Sequence, residues 1–374
     1  MKYDVAIVGL GAMGSAAAYS LAKRGAKVIA FDRLAPPHHM GSTHGHTRII
    51  REAYYEHPLY VPLVRRSYEL WAELERECGE KLFMQTGGLW VGPEQGELLK
   101  GAVESVRTHN IAHDLLSAAQ ITERFPAYRA RPEWVGLLEH RAGMLAPEKC
   151  VHAFHVGAIQ LGAQLKLGSE VVSWSVGSRG VSVSTHAGTY DAERLIVAAG
   201  AWLPGLAKKM SLKIPLEIER QMSHWFQPDV AGEKYRATIT PVALFEMPGD
   251  MFLTMGDEGH GVKCGKHHSG LPTSPETVNR VVSDAENAAA RSILDEVMPG
   301  AAGKLLDARV CLYTNTPDRH FIIDWIEHGR ALLLSPCSGH GFKFATGIGE
   351  IAAQMTMEGK TAMDISPFSL SRFK

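Results

Sequence analysis

The sequence lacks the features that mark several specialised classes of protein. It contains five cysteines, an odd number with no pair at C-x-x-C spacing, which argues against a disulfide framework or a zinc knuckle. Its net charge of −1 provides no overall field that would attract nucleic acid or an anionic membrane. It shows no secretory signal pattern and no apolar run of the ~20 residues that span a bilayer. We therefore expect a reduced, soluble, cytoplasmic protein with no nucleic-acid or membrane partner.

Low-complexity segments and internal repeats are also missing, and the composition is that of an ordinary globular protein. Hydrophobic residues make up 45% of the chain and charged residues 21%, so neither a disordered nor a membrane protein is indicated. With 374 residues the chain is too long for one typical core, and about two domains are expected.

The N-terminal segment has the spacing of a dinucleotide-binding turn. Residues 5–8 form a short apolar run that predicts a buried parallel strand. Gly9, Gly11 and Gly14 follow it at G-x-G-x-x-G spacing. In this pattern the first glycine makes the tight turn, the second lets the backbone approach a pyrophosphate, and the third lets the helix pack close to the strand. The N-terminus of the helix then faces the anion.

The residues after these glycines complete the pattern. They predict a helix to about Arg24 and a second apolar strand over residues 28–31, which ends at Asp32. An acid at this distance can accept hydrogen bonds from ribose hydroxyls. Together these features favour a dinucleotide site over a merely structural glycine turn, although the pattern alone does not separate FAD from NAD.

Two later segments repeat the order of strand, small-residue turn and helix. Residues 195–198 predict a strand that runs into Gly200. This turn either passes close to a cofactor or belongs to one more strand–turn–helix unit of an α/β sheet. Residues 331–334 predict a strand that leads to Gly339 and Gly341 and then to a helix, whose N-terminus can again accept an anion.

Lys343 lies in the predicted first turn of that last helix, which is expected to begin near Phe342. A cation is unfavourable there, because the helix dipole places partial positive charge at this end. Such a local conflict indicates a functional role. The alternative is a solvated lysine at the start of a helix.

Five segments of the chain resemble the monomeric sarcosine oxidase and N-methyltryptophan oxidase family. They read GLGAMGSAAAYSLAKRG, GSTHGHTRIIREAY, GVKCGKH, CLYTNTPDRHFIID and SGHGFKF, and they occur in the family's order over nearly the whole chain. Members of this family are flavoprotein amine oxidases of the D-amino-acid-oxidase-like superfamily. The resemblance implies FAD as cofactor and an α/β fold, with a Rossmann-like FAD-binding domain and a substrate domain that has a mostly antiparallel sheet.

Cys311 and Tyr313 lie two residues apart in the fourth of these segments. On a strand, side chains at i and i+2 share a face, so the thiol and the phenol would face the same site. By residue type alone, a lone cysteine in a strand is most often a small buried hydrophobe. The resemblance instead implies that the sulfur of Cys311 is bonded covalently to the 8-methyl carbon of FAD, and that Tyr313 borders the substrate pocket.

The segment GSTHGHTRIIREAY resembles the family segment that runs along the flavin. The resemblance implies that Arg48 packs close to the flavin ring. It also implies that Arg51 and Lys343 together bind the carboxylate of the substrate, a task that suits arginine because its planar fork matches a carboxylate. The alternative for both arginines is a salt-bridged helix face. Lys343 and the two glycines of SGHGFKF would also contact the cofactor.

The same segment implies that His44 and Thr47 contribute to cofactor binding. The family usually has histidine and aspartate where this chain has Thr43 and His46, which puts the local hydrogen bonding in doubt but leaves the arginines in place.

Lys263 and His267 lie four residues apart in the segment GHGVKCGKHHSG. Lys263 resembles the family lysine that activates oxygen near flavin N(5), and His267 resembles a histidine that faces the substrate. A fixed positive charge in a dry site stabilises negative charge that develops on oxygen. We do not expect a metal site here, because carboxylate and cysteine ligands are not at suitable spacing.

The FAD-binding domain is predicted to be discontinuous and to comprise residues 1–85, 145–215 and 312–374. The insertions, residues 86–144 and 216–311, would form the substrate domain and cover the flavin. Its candidate elements are strands over residues 88–91, 217–226 and 251–255 and a helix over residues 276–297.

The resemblance implies oxidation of an N-methyl amino acid by O2 to the primary amino acid, formaldehyde and hydrogen peroxide, with no metal or nicotinamide. Nothing in the sequence requires more than a monomer. The alternatives are an FAD-dependent dehydrogenase with another electron acceptor, a flavin-binding protein without turnover, and an NAD-dependent dehydrogenase. Lys263 argues against the first, and the presence of Arg51, Lys263 and Lys343 argues against the second.

The resemblance does not fix the substrate. Where relatives read Tyr-Gly-Phe-Pro, this chain reads FLTM over residues 252–255. The loss of a tyrosine hydroxyl and of an aromatic ring would widen the pocket. A substrate bulkier than sarcosine, such as N-methyltryptophan or another N-alkyl or cyclic imino acid, is therefore favoured.

Overall fold

The structure is a computed structural model that describes residues 3–229, 232–327 and 329–374. Its α-helices are α1 (Ala12–Lys23), α2 (Tyr60–Cys78), α3 (Glu97–His109), α4 (Ala118–Arg124), α5 (Pro147–Gln160), α6 (Leu203–Lys209), α7 (Asp284–Val297) and α8 (Ala345–Glu358). Its β-strands are β1 (Tyr3–Val8), β2 (Val28–Phe31), β3 (Arg48–Ile50), β4 (Phe83–Gln85), β5 (Gly88–Pro93), β6 (His113–Ser117), β7 (Trp134–Glu139), β8 (Gly143–Leu145), β9 (Gln164–Lys166), β10 (Val171–Gly177), β11 (Gly180–Thr185), β12 (Gly188–Val197), β13 (Glu217–Phe226), β14 (Val242–Met247), β15 (Asp250–Met255), β16 (Val262–His267), β17 (Leu271–Thr273), β18 (Leu305–Asn315), β19 (Ile322–Ile326) and β20 (Ala331–Ser335).

One sheet has eight strands and contains the predicted dinucleotide-binding strand, β1. Its centre is parallel, because β1 pairs with β2 and β12, β12 pairs with β20, and β2 pairs with β9 in the same direction. Strands β10, β11 and β19 add antiparallel pairings. Every residue of β2 and of β20 is buried, as is typical of parallel strands that are covered on both faces.

Side chains of β1 alternate between two apolar clusters, because successive residues of a strand point to opposite faces. Val5 and Ile7 pack with residues of α1, α5 and α8. Ala6 and Val8 pack with residues of β10, β11 and β12, among them Trp174. The turn after β1 is therefore carried on a strand that is fixed from both sides.

The other large sheet has nine strands, β5 to β7 and β13 to β18. Only the pairing of β14 with β5 is parallel, and the other pairings among its described residues are antiparallel. The predicted fold, an α/β Rossmann-like unit combined with a mostly antiparallel sheet, is confirmed. A third, small sheet joins β3 to β8 and β4, and it holds the segment that carries Arg48.

Most predicted elements lie where the sequence placed them, including β1, β2, β13 and α1. The predicted helix over residues 276–297 is wrong at its start, because α7 begins at Asp284. The Ser283 side chain accepts a hydrogen bond from the amide of Glu286, and the Glu286 side chain accepts one from the amide of Ser283. This capping box fixes the first turn of the helix at that point.

Lys343 is also placed differently from the prediction. It lies in a 3-10 turn, Phe342–Phe344, and α8 begins only after this turn. The amide of Phe344 donates to the carbonyl of Gly341 at 3.0 Å, which closes the tighter turn. Lys343 therefore precedes the first turn of the α-helix, in which the sequence had placed it.

The division of the chain into an FAD-binding domain and a substrate domain stays a prediction. Its boundary at residue 311 falls inside β18, which remains in the nine-stranded sheet to Asn315. All five cysteines lie within the described residues and are free. No helix in the described ranges combines the length and the apolar character needed to cross a membrane.

Candidate active site

A cavity of about 340 Å³ is lined by residues of both large sheets and by the turns that follow β1, β12 and β20. The structure brings most of the predicted site residues together around it. Those that line it are Gly9, Gly11, Asp32, Arg48, Arg51, Gly200, Lys263, His267, Cys311, Tyr313, Gly339, Gly341 and Lys343. The three others, Gly14, His44 and Thr47, are buried outside its lining.

The turn after β1 has a geometry that suits a phosphate group. Gly9 has a φ of 95°, and a Cβ there would lie 2.4 Å from the carbonyl oxygen of Ala198. A Cβ on Gly14 would lie 1.8 Å from the carbonyl oxygen of Gly9, so only glycine permits this approach of helix to strand. At Gly11 the nearest neighbour of a Cβ would be Oγ1 of Thr43, 3.9 Å away. The backbone at Gly11 is therefore open to the cavity, and it fits the diphosphate of a dinucleotide.

Asp32 follows β2 and lines the same cavity. Its Oδ2 accepts a hydrogen bond from the amide of Leu10 and its Oδ1 accepts one from the amide of Leu34, both at 2.8 Å. These bonds orient the carboxylate, and each of its oxygens keeps a lone pair that can accept from a ribose hydroxyl. Gly200 also lines the cavity and has a φ of 52°, a conformation that side chains disfavour.

Cys311 and Tyr313 both lie on β18 and both line the cavity, as expected for side chains two residues apart on a strand. The Cys311 side chain is buried, and its Sγ lies 3.6 Å from the carbonyl oxygen of Ser42 and 3.7 Å from Nη2 of Arg48. Arg48 donates to the carbonyls of Ser42 and Thr47, each at 2.8 Å. These two bonds hold the guanidinium beside the sulfur.

The hydroxyl of Tyr313 lies 3.0 Å from Nδ1 of His267. Burial lowers the pKa of His267 well below its usual range, so this ring is neutral near pH 7. Burial also raises the pKa of the Tyr313 phenol, which stays protonated. A Cβ on Gly339 would lie 2.5 Å from the Tyr313 ring, so the glycine at this position makes room for the phenol. Two neutral polar groups are thereby presented at one wall of the cavity.

Lys263 is buried on β16, and two carbonyl oxygens bind its ammonium. Nζ lies 2.8 Å from the carbonyl oxygens of Gly45 and of Thr47. It also lies 5.2 Å from the centre of the Trp225 ring, an arrangement in which the ring face attracts a cation. Burial, and next to it the positive charge of Arg48, hold the pKa of Lys263 well below the usual range of a lysine.

His44 is buried next to this lysine, and neither of its ring nitrogens has a hydrogen-bond partner among the described residues. Burial, helped by the positive charges of Arg48 and Lys263, lowers the pKa of His44 to about 2. A buried polar group of this kind normally has a partner in the functional protein. The two unpaired nitrogens are consistent with the prediction that His44 contributes to cofactor binding, which stays a prediction.

Arg51 is held by carboxylate, carbonyl and aromatic groups of the protein. Its Nη2 donates to both carboxylate oxygens of Glu56, at 2.7 and 2.6 Å, and its Nη1 donates to the carbonyl of Ala53 at 3.0 Å. The guanidinium carbon lies 4.1 Å from the centre of the Tyr54 ring and 4.9 Å from that of Tyr55. The alternative of a salt-bridged helix face applies only in part. Arg51 does take part in a salt bridge, but it lies directly after strand β3 and not on a helix.

Lys343 is the second buried cation of this wall. Its Nζ donates to the carbonyl of His340 at 2.6 Å and lies 3.3 Å from the hydroxyl of Tyr54. Burial, followed by the positive charge of Arg51, holds the pKa of Lys343 well below its usual range. A carboxylate bound between the two cations would offset both effects, because an opposite charge favours the charged form of a lysine.

Two carboxylates support this wall, the buried Glu139 and the half-buried Glu56, and neither was identified in the sequence. Glu139 accepts hydrogen bonds from the amides of Glu52 at 2.6 Å and Ala53 at 2.8 Å, which fixes the backbone next to Arg51. Burial raises the pKa of Glu139 to about 7. Glu56, the other carboxylate, could be suspected from its closeness to Arg51 in sequence. No sequence pattern pointed to Glu139, because its partner Glu52 lies 87 residues away along the chain.

The remaining wall near Arg51 is largely apolar. Tyr55, Trp90, Leu244, Leu253 and Met255 line it. Within the FLTM segment the alternation of β15 turns Leu253 and Met255 to the cavity, and the intervening side chains are buried away from it.

A model of the DAO family, described as FAD dependent oxidoreductase, matches residues 4–355. Monomeric sarcosine oxidase from Bacillus sp. (strain B-0618) is 40% identical, with 99% of this chain and 96% of the relative aligned. N-methyl-L-tryptophan oxidase from Yersinia pestis (strain Pestoides F) is 34% identical, with 100% of both chains aligned.

Solved structures share the fold at lower identity. NikD, described as an unusual amino acid oxidase essential for nikkomycin biosynthesis, superposes in its open form with a TM-score of 0.86 and 24% identity, covering 98% of this chain and 97% of its own. Glycine oxidase from Geobacillus kaustophilus superposes with a TM-score of 0.84 and 20% identity, covering 99% of both chains.

Proposed function

This chain belongs to the DAO family of FAD-dependent oxidoreductases, and we propose that it oxidises the N-methyl group of a secondary amino acid with O2. The overall reaction is R–NH–CH3 + O2 + H2O → R–NH2 + CH2O + H2O2, in which the amine loses two electrons and O2 gains them. One observation carries the proposal: a single cavity joins the dinucleotide-type turn to two buried cations, Arg51 and Lys343. Relatives named for the oxidation of sarcosine and of N-methyl-L-tryptophan support it.

The residues around the cavity suit FAD as cofactor. FAD, when bound, supplies the group that accepts electrons from the amine and donates them to O2. The open backbone at Gly11 would face its diphosphate, Asp32 would accept from its ribose, and Gly200 and the Gly339–Gly341 turn would border it. Cys311 would carry the covalent bond to the flavin, beside Arg48.

The substrate would be held by charge and shaped by apolar contacts. Arg51 and Lys343 would bind the carboxylate, and the neutral His267 and Tyr313 would border the amine without adding positive charge, which favours binding of the neutral amine. Lys263 would provide the fixed positive charge beside the oxygen that is being reduced. A buried charge of this kind acts strongly because water does not screen it.

The size of the apolar wall supports a substrate with a bulky side chain. Trp90, Leu244, Leu253 and Met255 offer contacts that the methylene carbon of sarcosine is too small to fill. An N-methyl amino acid with an aromatic or large aliphatic side chain would bury more apolar surface there. We therefore place this chain nearer to N-methyltryptophan oxidation than to sarcosine oxidation.

We further propose that one chain is the functional unit and that it works in a reduced, cytoplasmic compartment. A relative that is 40% identical is named monomeric sarcosine oxidase, which supports one chain as the unit. The five free cysteines suit a reducing environment. The domain division proposed from the sequence would place the flavin on the eight-stranded sheet and the substrate beneath the nine-stranded sheet.

The proposed activity is tested by anaerobic bleaching of the flavin. Purified protein is mixed without oxygen with N-methyltryptophan, N-methylphenylalanine and sarcosine, and the visible absorbance is followed. N-methyl amino acids should bleach the flavin, the bulky ones at lower concentration, and admission of O2 should restore the colour and release hydrogen peroxide. The corresponding primary amino acids serve as matched controls and should not bleach it.

Two results would overturn this proposal in different ways. Bleaching followed by very slow recovery in air, together with rapid recovery by a dye acceptor, would identify a dehydrogenase. Failure of every amine to bleach a flavin that photoreduction does bleach would favour a flavin-binding protein without turnover.

Replacement of Cys311 tests the covalent bond. If the sulfur carries the flavin, acid precipitation of the unmodified protein leaves the yellow colour in the pellet, and a flavin-labelled peptide contains Cys311. Cys311→Ser should release the flavin into the supernatant or yield protein without flavin. Cys337→Ser is the matched control, because Cys337 also lines the cavity. This variant should leave the colour in the pellet. Flavin that is fully extractable from the unmodified protein would refute the bond.

A further inference from the structure

We propose that Glu148 is the positioning residue for Lys263: its carboxylate holds the Gly45–His46 turn whose carbonyl binds the ammonium, and its negative charge keeps that ammonium protonated. The inference rests on the proposed function, because it assigns to Glu148 an effect on reaction with O2. Glu148 would touch neither cofactor nor substrate. It would act only through the turn and through the charge of Lys263.

The hydrogen bonds around the turn donate in one direction, from the Lys263 ammonium through the turn to the Glu148 carboxylate. Oε1 of Glu148 accepts from the amide of Gly45 at 2.6 Å and from the amide of His46 at 3.2 Å. On the other side of the turn, the carbonyl oxygen of Gly45 accepts from Nζ of Lys263 at 2.8 Å and from the amide of Thr47 at 2.7 Å. The peptide dipoles of the turn are thus oriented with their positive ends at the carboxylate and their negative end at the ammonium.

The turn needs such a support, because its backbone is unusual. Gly45 has a φ of 96° and His46 has a φ of 65°, so a residue with a side chain occupies the left-handed region. Such conformations persist only where the surroundings fix them. Glu148 provides two hydrogen bonds to consecutive amides, and the His46 ring stacks on that of His260 with the centroids 3.9 Å apart.

The space beside Gly45 explains why the turn must be fixed closely. A Cβ on Gly45 would lie 3.4 Å from Nη1 of Arg48 and 3.5 Å from Nζ of Lys263. The backbone of the turn is therefore packed against both cations, and a small shift of the turn would move the carbonyl that binds the ammonium. Glu148 lies in the first turn of α5, which fixes the carboxylate relative to the eight-stranded sheet.

The electrostatics of the site supports the second part of the proposal. Burial and Arg48 lower the pKa of Lys263, and the negative charges near it, among them Glu148 and Glu258, raise it. The charged and titratable groups around the lysine are Arg48 on β3, His44 and His46 in the turn, Glu148 on α5, Glu258 and His260 before β16, and Arg309 and Cys311 on β18. The arginines in this set oppose a positive charge on Lys263 and the glutamates favour it, so the removal of one carboxylate should favour the neutral lysine.

Two substitutions separate the two parts of the role. Glu148→Gln keeps an oxygen that can accept from the two amides but removes the charge, whereas Glu148→Ala removes both. The flavin of each purified protein is photoreduced without oxygen, so no amine is needed, and mixed with oxygenated buffer in a stopped-flow instrument from pH 6 to pH 10. The midpoint potential of the flavin is measured in the same samples, since a nearby positive charge raises it.

We expect a shifted pH profile for Glu148→Gln. The reoxidation rate should match that of the unmodified protein at low pH, where Lys263 is protonated in both proteins. Its decline with rising pH should begin about one pH unit earlier, which is roughly a ten-fold loss at high pH. Over the same pH range, the flavin midpoint potential of Glu148→Gln should lie below that of the unmodified protein. Glu148→Ala should be slow at every pH, because the turn itself is no longer held.

The control variant is Glu258→Gln, which removes a nearby negative charge but leaves the Glu148 hydrogen bonds in place. Its rate of flavin reoxidation at low pH should be normal. A Glu148→Gln profile that superposes on that of the unmodified protein would overturn the charge role, and a normal Glu148→Ala rate at low pH would overturn the positioning role. If no amine bleaches the flavin, the proposed function fails, but this test still gives its own answer, because photoreduction replaces the amine.

Discussion

Replacement of Lys263 by methionine is expected to slow the reoxidation of the reduced flavin by about two to three decades, which corresponds to a loss of about 3–4 kcal/mol. Reduction of the flavin by amine should stay within a few-fold of the unmodified protein. The reduction of the flavin by amine and its reoxidation by O2 should therefore respond very differently to Lys263→Met. Methionine keeps the length of the lysine stem, so the packing of the buried site changes little.

The geometry explains why a large effect is expected. The ammonium is bound by the carbonyls of Gly45 and Thr47 at 2.8 Å, so its position is fixed before oxygen arrives. It is buried, so water does not screen its charge. A group that is preorganised in this way needs no reorganisation when negative charge develops on oxygen.

The other buried lysine of the cavity provides a matched comparison. Lys343→Met makes the same chemical change in the same cavity, but next to Arg51 instead of the Gly45–His46 turn. It should slow the reduction by amine far more than the reoxidation, which is the reverse pattern. Stopped flow measures both: protein and amine are mixed without oxygen, and reduced protein is then mixed with oxygenated buffer.

The outcome can contradict the assignment in two ways. If both rates of Lys263→Met stay within a few-fold of the unmodified protein, the lysine is a structural group of β16. If reduction collapses while reoxidation is normal, Lys263 belongs to substrate binding, and Lys343 becomes the first candidate for the oxygen site.

Much of the fold could be predicted because its signals are local. Gly9, Gly11 and Gly14 occur at a spacing that is readable in the sequence, and the strands around them are short apolar runs. The shared face of Cys311 and Tyr313 follows from the period of a strand alone. The start of α7 was missed although a local signal exists, because Ser283 and Glu286 have the spacing of a capping box.

The supporting carboxylates could not be predicted, because their partners are distant in sequence. Glu148 reaches the amide of Gly45 across 103 residues, and Glu139 reaches that of Glu52 across 87. Both contacts depend on where β7 and α5 lie relative to the segment around β3, which no local pattern encodes. The 3-10 turn that carries Lys343 also has a partner that is distant in sequence, because the indole of Trp71 donates to the carbonyl of Lys343 at 2.8 Å.

Replacement of Arg51 by alanine is expected to lower kcat/KM by about 10- to 100-fold or more, because charge-assisted hydrogen bonds to a carboxylate contribute roughly 1.5–3 kcal/mol each. Competitive inhibition by simple carboxylates such as acetate should weaken in parallel. Glu56 already occupies the guanidinium in this structure, which demonstrates that Arg51 can bind a carboxylate in this buried wall. A substrate carboxylate bound by Arg51 would share the guanidinium with Glu56 or take its place.

That pairing also requires a control, because Arg51→Ala alone leaves the carboxylate of Glu56 buried without its partner, and an unpaired buried charge destabilises a protein on its own account. The double variant Arg51→Ala/Glu56→Gln removes both charges, and its thermal unfolding shows whether the fold is intact. If Arg51 binds the substrate, the double variant still loses the affinity for acetate, and Glu56→Gln alone retains it. If the double variant binds acetate as the unmodified protein does, the single variant failed through the unpaired Glu56, and the carboxylate of the substrate must be bound elsewhere, with Lys343 as the remaining buried cation of that wall.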